Sequence, residues 1–269
     1  MSHPTPTHYD AILAREGTAH IKRGVATLLV VVLVVAAMAL TGLLDPRRFA
    51  DAWPAIKQLS SEMFPPDFKR YHSWLRPLAD TLAMSIAGTT LAVAFSLPLA
   101  LFAAHNTTPH PIAYHTTRAV LNLLRSIPEL IMGIIFVAMV GFGALPGVLA
   151  VGLHSVGMMG KFFAESIEHI DPKPVEAARA AGASPFQVIW HAVLPQAMPQ
   201  LADTTVYRWE YNFRASTVLG AVGAGGIGFE LIAALRVLEY AQVSAILICI
   251  LICVTIVDGI GAAVRNYLK

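Results

Sequence analysis

The apolar residues of this chain gather into runs long enough to cross a bilayer, and that restricts the folds open to it. Residues 25–44 carry no charged side chain, and a helical crossing needs about 20 apolar residues. Five further runs follow: 78–104, with a kink expected at Pro98; 119–142, interrupted by Arg125, Pro128 and Glu129; 146–167; 198–222; and 243–264. Only 13% of residues are charged and 56% are hydrophobic, against about a quarter charged in soluble domains. In lipid a segment must satisfy its own backbone hydrogen bonds, which favours helices. The expected class is an all-α membrane protein with about six transmembrane helices.

The first run is longer than the apolar core of a signal peptide, and Gly42-Leu43-Leu44-Asp45-Pro46 is a poor cleavage site, so it reads as a retained helix. The chain then divides into an N-terminal tail (1–24), the first span (25–44), a polar segment (45–77), a five-span core (78–264) containing a polar loop (171–195), and a short C-terminal tail (265–269). The 45–77 segment is too polar to insert. It is expected on the membrane surface with Trp53 and Trp74 at headgroup level. An even number of spans puts both termini on one side. Lys and Arg outside the spans divide almost evenly between the two sides, so positive charge does not orient the chain.

Several functions lack support. Basic residues are scattered rather than clustered on a face, which argues against nucleic-acid binding. Cys249 and Cys253 lie in an apolar run and read as membrane-buried side chains. No His pair has metal-ligand spacing, and His105, His110 and His115 fall in a Pro/Thr-rich connector expected to be solvated. Gly223, Gly225, Gly226 and Gly228 satisfy G-x-G-x-x-G literally, but they follow a membrane span instead of a β-strand. A flexible or re-entrant turn near the outer face, and a candidate gate, is the better reading. Gly160-Lys161 is followed by Phe162, with Ser155 where a P-loop would need its first glycine. Any ATP must then be bound by another subunit, and no cofactor is expected on this one.

The loop is the most specific feature. Glu176, Ala177, Ala178, then Gly182, then Leu194 and Pro195 follow the pattern E-A-A, three residues, G, nine residues, I-x-L-P, with Ala192 in place of Ile. Residues 176–181 are strong helix formers, with Glu176 expected in the first helical turn. Gly182 is expected as a left-handed cap. Ser184-Pro185 reads as an N-cap followed by proline at the first helical position. Phe186, Ile189, Trp190 and Val193 then form an apolar stripe at helical spacing. Two short helices joined at a glycine would make a knob fitted to a partner's groove.

This loop resembles the docking loop of ABC-importer permeases. The resemblance implies the type I importer fold, with the knob as a two-helix cytoplasmic coupling loop seated in an ATPase dimer. It further implies a periplasmic substrate-binding protein, a second permease copy and an inner-membrane location with both termini cytoplasmic.

Charges inside the spans cost about 2.5–3.5 kcal/mol each at a helix centre, so they mark pairing or function. Arg125 and Glu129 are four apart, as are Glu210 and Arg214, and each pair is expected to share a helix face; Lys161 and Glu165 repeat the spacing. Arg208 is left over. These five residues, Arg125, Glu129, Arg208, Glu210 and Arg214, are the candidate solute pathway, since arginine matches oxyanions with paired hydrogen bonds. The stretches from Arg125 to Leu130 and from Tyr207 to Gly228 resemble the phosphonate/phosphite branch of these permeases, which implies import of a small phosphorus oxyanion. The competing classes are an ion-coupled secondary transporter, disfavoured by the lack of an evident inverted repeat, and a membrane enzyme, for which no catalytic motif is present.

Overall fold

The computed structural model describes residues 8–268, and among them every regular element is helical. The chain divides into two units, residues 1–61 and 62–269. The first unit holds α1 (His8–Leu40) and nearly all of α2 (Pro46–Met63). Of the tail expected at 1–24, residues 1–7 lie outside the described residues, and the remainder is already helical. The first span ends at Leu40, short of Leu44. The reason is a Schellman turn: Gly42 takes φ 76°, its N–H bonds the Ala39 carbonyl, and Leu43 N–H bonds that of Met38. The polar segment is helical too. Asp45 accepts from Arg47 N–H at 3.0 Å, and Pro46 opens α2 with Trp53 exposed.

The second unit begins its long helices with α3 (Tyr71–Ala103), seven residues ahead of the expected start. Trp74 therefore departs from its expected place at headgroup level. It is buried among Ile227, Ala234, Val243 and Ile246. Next come α4 (Pro111–Ser126), α5 (Glu129–Val140) and α6 (Ala144–Glu168). The connector before α4 is shorter than expected, because His110 caps the helix by accepting from Ile112 N–H at 3.1 Å. α3 and α6 form the most extensive helix contact, with Gly88 against Val151 and Gly152.

Three short elements then lead into α9 (Leu194–Leu219): α7 (Pro172–Ala180), α8 (Pro185–Val188) and a single π turn (Ile189–Val193). A 3₁₀ turn (Gly220–Val222), α10 (Ile227–Arg236) and α11 (Tyr240–Leu268) complete the chain. α1, α3, α6 and α11 are each long and apolar enough to cross a membrane. The pairs α4–α5, bent by 85°, and α8–α9 with α10, bent by 42°, bring the total to six when each bent pair is counted as one span. The third expected span is thus a broken one, starting at Pro111 instead of Ala119.

Candidate functional site

The break between α4 and α5 sits at Ile127-Pro128, beside the midpoint of α6. In an unbroken helix the Ile127 carbonyl would accept from Ile131 N–H, but Ile131 bonds the Pro128 carbonyl instead, sharing it with Met132. The freed Ile127 oxygen faces His154 Nδ1 at 3.1 Å. A carbonyl can only accept, so Nδ1 carries the proton, and His154 caps the broken helix from α6. Irregular backbone at membrane depth needs such a partner or a polar cavity.

Glu129 opens α5, where the helix dipole favours its charge. Its Oε1 accepts from Tyr211 O–H at 2.9 Å. Its Oε2 lies 3.8 Å from His154 Nε2 and has no hydrogen-bond partner. Tyr211 belongs to α9, and its ring supports the Arg208 guanidinium with Cζ 4.1 Å from the centroid.

Arg208 is 4% exposed, and its orientation is fixed by a one-way run of hydrogen bonds through three helices. Arg208 Nε donates to Ser155 Oγ at 3.0 Å, Ser155 to Asn212 Oδ1 at 2.9 Å, and Asn212 Nδ2 to Thr89 Oγ1 at 2.8 Å. Thr89 ends the run on the Ser85 carbonyl at 2.7 Å. Every donor in the series has one acceptor, which is what a buried network requires. Nε is thereby committed, while Nη2 is buried with no partner. Among the described residues no carboxylate lies within ion-pairing distance of Arg208. A buried guanidinium with unspent donors has the chemistry to pair with an oxyanion.

The other expected pathway residues stand elsewhere. Arg125 and Glu129 do not share a face, because the 85° bend separates them. Arg125 is exposed and bonds Asn122 Oδ1 at 3.2 Å. Glu210 and Arg214 share α9 but turn to α11, Glu210 pairing with Arg265 at 2.5 Å and Arg214 with Asp258 at 2.7 Å. Lys161 and Glu165 do pair, at 3.6 Å. Ser155, His154, Tyr211, Asn212 and Thr89 were missed. Their one available signal was the polarity of Asn212 and Ser155 within apolar runs.

The loop forms the expected knob, with two differences. α7 starts at Pro172 with Asp171 as its cap, accepting from Lys173 N–H, so Glu176 lies in the second turn and Ala177 and Ala178 follow it. Gly182 (φ 81°) closes α7: its N–H bonds the Arg179 carbonyl and Ala183 N–H that of Ala178. Ser184 and Gln187 form a complete capping box. The second knob helix, however, does not end at the knob. It passes through the π turn into α9 as one rod, with Pro195 near the start of that helix. Leu194 N–H reaches back to the Ile189 carbonyl, and Gln196 ties the rod to the knob by accepting from Asp171 N–H at 3.1 Å. Phe186 and Trp190 stack at 6.3 Å on the knob's surface, 72% and 59% exposed.

At the other end of α9 the glycines make the expected turn. Gly223, Gly225 and Gly226 have φ of 93°, 74° and 72°. Gly228 has no room for a side chain, since a Cβ would stand 1.8 Å from the Thr217 carbonyl oxygen.

Residues 96–267 match the family described as "Binding-protein-dependent transport system inner membrane component". The phosphite transport system permease protein PtxC of Stutzerimonas stutzeri is 58% identical, covering 98% of this chain and 99% of that protein. The phosphate-import permease protein PhnE of Mycolicibacterium smegmatis is 43% identical over 83% of this chain, which spans 42% of that protein. Among solved structures, an inward-facing form of the MetNI methionine ABC transporter superposes with a TM-score of 0.63. The overlap covers 73% of this chain and 96% of that one, at 23% identity, and so shows the fold.

Proposed function

The chain belongs to the binding-protein-dependent transport system inner membrane components, and from that premise we propose that it is the permease subunit of an ATP-driven importer for a small phosphorus oxyanion, with Arg208 as the anion-receiving group. The observation that carries the solute class is the buried Arg208 guanidinium, held by Ser155 and Tyr211 with Nη2 unspent. The extended similarity to phosphite- and phosphate-transport permeases supports the same class.

In this reading residues 176–195 dock into an ATPase dimer, which binds the ATP, and the loop and both termini are cytoplasmic. A periplasmic binding protein delivers the solute, and a second permease copy completes the path, two-fold pairing being the commonest symmetry. The knob continues into α9, and α9 carries Arg208. Closure of the ATPases would therefore move the anion-receiving arginine as part of a rod. A ligand shifts such an equilibrium only by its differential affinity for the two states, and Arg208 supplies a group through which the solute could act. The glycine turn at Gly223, Gly225, Gly226 and Gly228 lies at the far end of the same rod and is assigned the outer gate.

The test is uptake of phosphite, methylphosphonate, phosphate and sulfate by the complete transporter, with Arg208→Lys and Arg208→Gln beside the wild type. Lysine keeps the charge but loses the fork. Both variants should abolish uptake of the preferred anion while the ATPase still copurifies. Wild-type uptake by both variants would remove Arg208 from the path, and preference for a solute without an oxyanion would overturn the solute class.

A further inference from the structure

Between α4 and α6, toward the coupling-loop end of the bundle, lies a second concentration of positive charge separate from Arg208. A cavity of about 180 Å³ is lined by Ala103, Arg118, Leu121, Asn122, Arg125 and Lys161, with Ala164 beside them. Lys161 stands seven residues before the end of α6 at Glu168, about 10 Å along the axis. Arg125 is in the last turn of α4.

The three cations are unequal. Arg118 is largely spent: Nε donates to the Ala103 carbonyl at 2.9 Å, Nη2 to Glu168 at 2.8 Å, and its face lies 4.5 Å from the Tyr114 centroid. That triple engagement fixes its position, with its charge largely offset by Glu168. Arg125 is the opposite case, with only Nε used, on Asn122 Oδ1. Among the described residues its two terminal nitrogens have no acceptor. Lys161 is ion-paired with Glu165 at 3.6 Å, longer than a hydrogen bond, so among the described residues no ammonium donor is committed to one. The cavity therefore has one anchored cation, one arginine with its terminal nitrogens open and one lysine held only by a long ion pair. Basic pockets between membrane helices are suited to phosphoryl groups, and a guanidinium fork with an ammonium beside it can share the oxygens of one.

We propose that Arg125, Lys161 and Arg118 form a second anion site, which takes a tetrahedral phosphate-type oxyanion. The oxyanion is either the headgroup of an anionic lipid or a free inorganic anion. The site rests on this cavity alone and does not depend on which solute passes Arg208.

Two arms identify the source. In the first, the full chain is placed in nanodiscs of phosphatidylglycerol and phosphatidylcholine, and the phosphatidylglycerol retained is counted by native mass spectrometry. In the second, binding of radiolabelled inorganic phosphate is measured in phosphatidylcholine alone. Each compares the wild type with the double variant Arg125→Gln/Lys161→Gln, with Arg125→Lys, and with Arg76→Gln. The last removes a cation from the opposite end of α3, about 40 Å along that helix from Ala103. The double variant should lose about tenfold in affinity in one arm, Arg125→Lys should fall between it and the wild type, and Arg76→Gln should bind normally. Loss in the lipid arm assigns a headgroup, and loss in the phosphate arm a free anion. A double variant that matches the wild type in both arms overturns the site, as does equal loss in Arg76→Gln.

Discussion

Glu210 on α9 accepts a hydrogen bond from Arg265 on α11 at 2.5 Å, across a helix surface left bare by Gly261. A Cβ at position 261 would stand 1.8 Å from the Glu210 carboxylate, so a larger residue there would push the Glu210 side chain out of this geometry. Arg214 and Asp258 repeat the pairing one turn further toward the C-terminal end of α9. The two bridges fix the register of α9 on α11. The Glu210 side chain is 7% exposed, and removing one partner of a buried pair leaves a stranded charge at a cost of about 3 kcal/mol. Glu210→Gln and Gly261→Ala should each lower the thermal midpoint of the purified protein. Glu210→Gln/Arg265→Gln should be less damaging than the sum of its singles, as a double-mutant cycle would register. An additive result would show that the pair is not coupled.

The same pairs show what the sequence could and could not reveal. Charges four apart on one helix invite the reading that they pair with each other, and for Lys161 and Glu165 they do. For Glu210 and Arg214 a second helix offers shorter bridges, and nothing local to α9 signals that Asp258 and Arg265 will face it. The six apolar runs were legible because membrane crossing sets a length requirement that is local in the chain. So was the knob, whose caps at Gly182 and Ser184 are set by neighbouring residues. The break after Arg125 was visible as Pro128, but its 85° bend depends on His154 taking the freed carbonyl from another helix. Ser155, Asn212 and Thr89 were hidden for the same reason: a relay across three helices has no sequence spacing.

That relay yields a graded prediction. Ser155→Ala removes the acceptor of Arg208 Nε and the donor to Asn212 in one step, and each buried polar group left unpaired costs about 1–3 kcal/mol. Asn212→Leu leaves Ser155 and Thr89 without one partner each. Both should lower stability, and Ser155→Ala should also weaken anion uptake by releasing Arg208 from its fixed orientation. Uptake kinetics beside thermal denaturation separate the effects. Lower stability in both variants with uptake unchanged in Ser155→Ala would mean that Arg208 needs no such support.

His154 gives a sharper test of the broken span. His154→Phe fills similar space but offers the Ile127 carbonyl no donor, so the break loses about 1–3 kcal/mol. His154→Gln keeps an N–H donor and should recover part of the loss. The measurement is hydrogen exchange at Ile131, whose amide bonds the Pro128 carbonyl three residues back only while the break holds its shape. Faster exchange in His154→Phe than in His154→Gln is expected. Equal rates in both would show that the histidine does not hold the break.

The knob carries the last prediction. Phe186 and Trp190 are large, apolar, exposed and stacked on each other, while the caps beneath them hold the short helices rigid. Exposed aromatics on a preformed scaffold are the residues that dominate an interface, costing about 2 kcal/mol or more on truncation. Trp190→Ala should therefore weaken copurification of the ATPase by about thirtyfold in dissociation constant, leaving membrane insertion and anion binding intact. Gly182→Ala acts differently. It touches no partner, but it asks an alanine to hold φ 81°, which strains the turn by about 1 kcal/mol. It should misplace α8 and uncouple ATP hydrolysis from uptake more than it weakens docking. Pull-down against the ATPase and anion-stimulated hydrolysis distinguish the two. If Gly182→Ala lost docking as completely as Trp190→Ala, the knob would need its shape for binding, and the aromatic pair would not be the principal anchor.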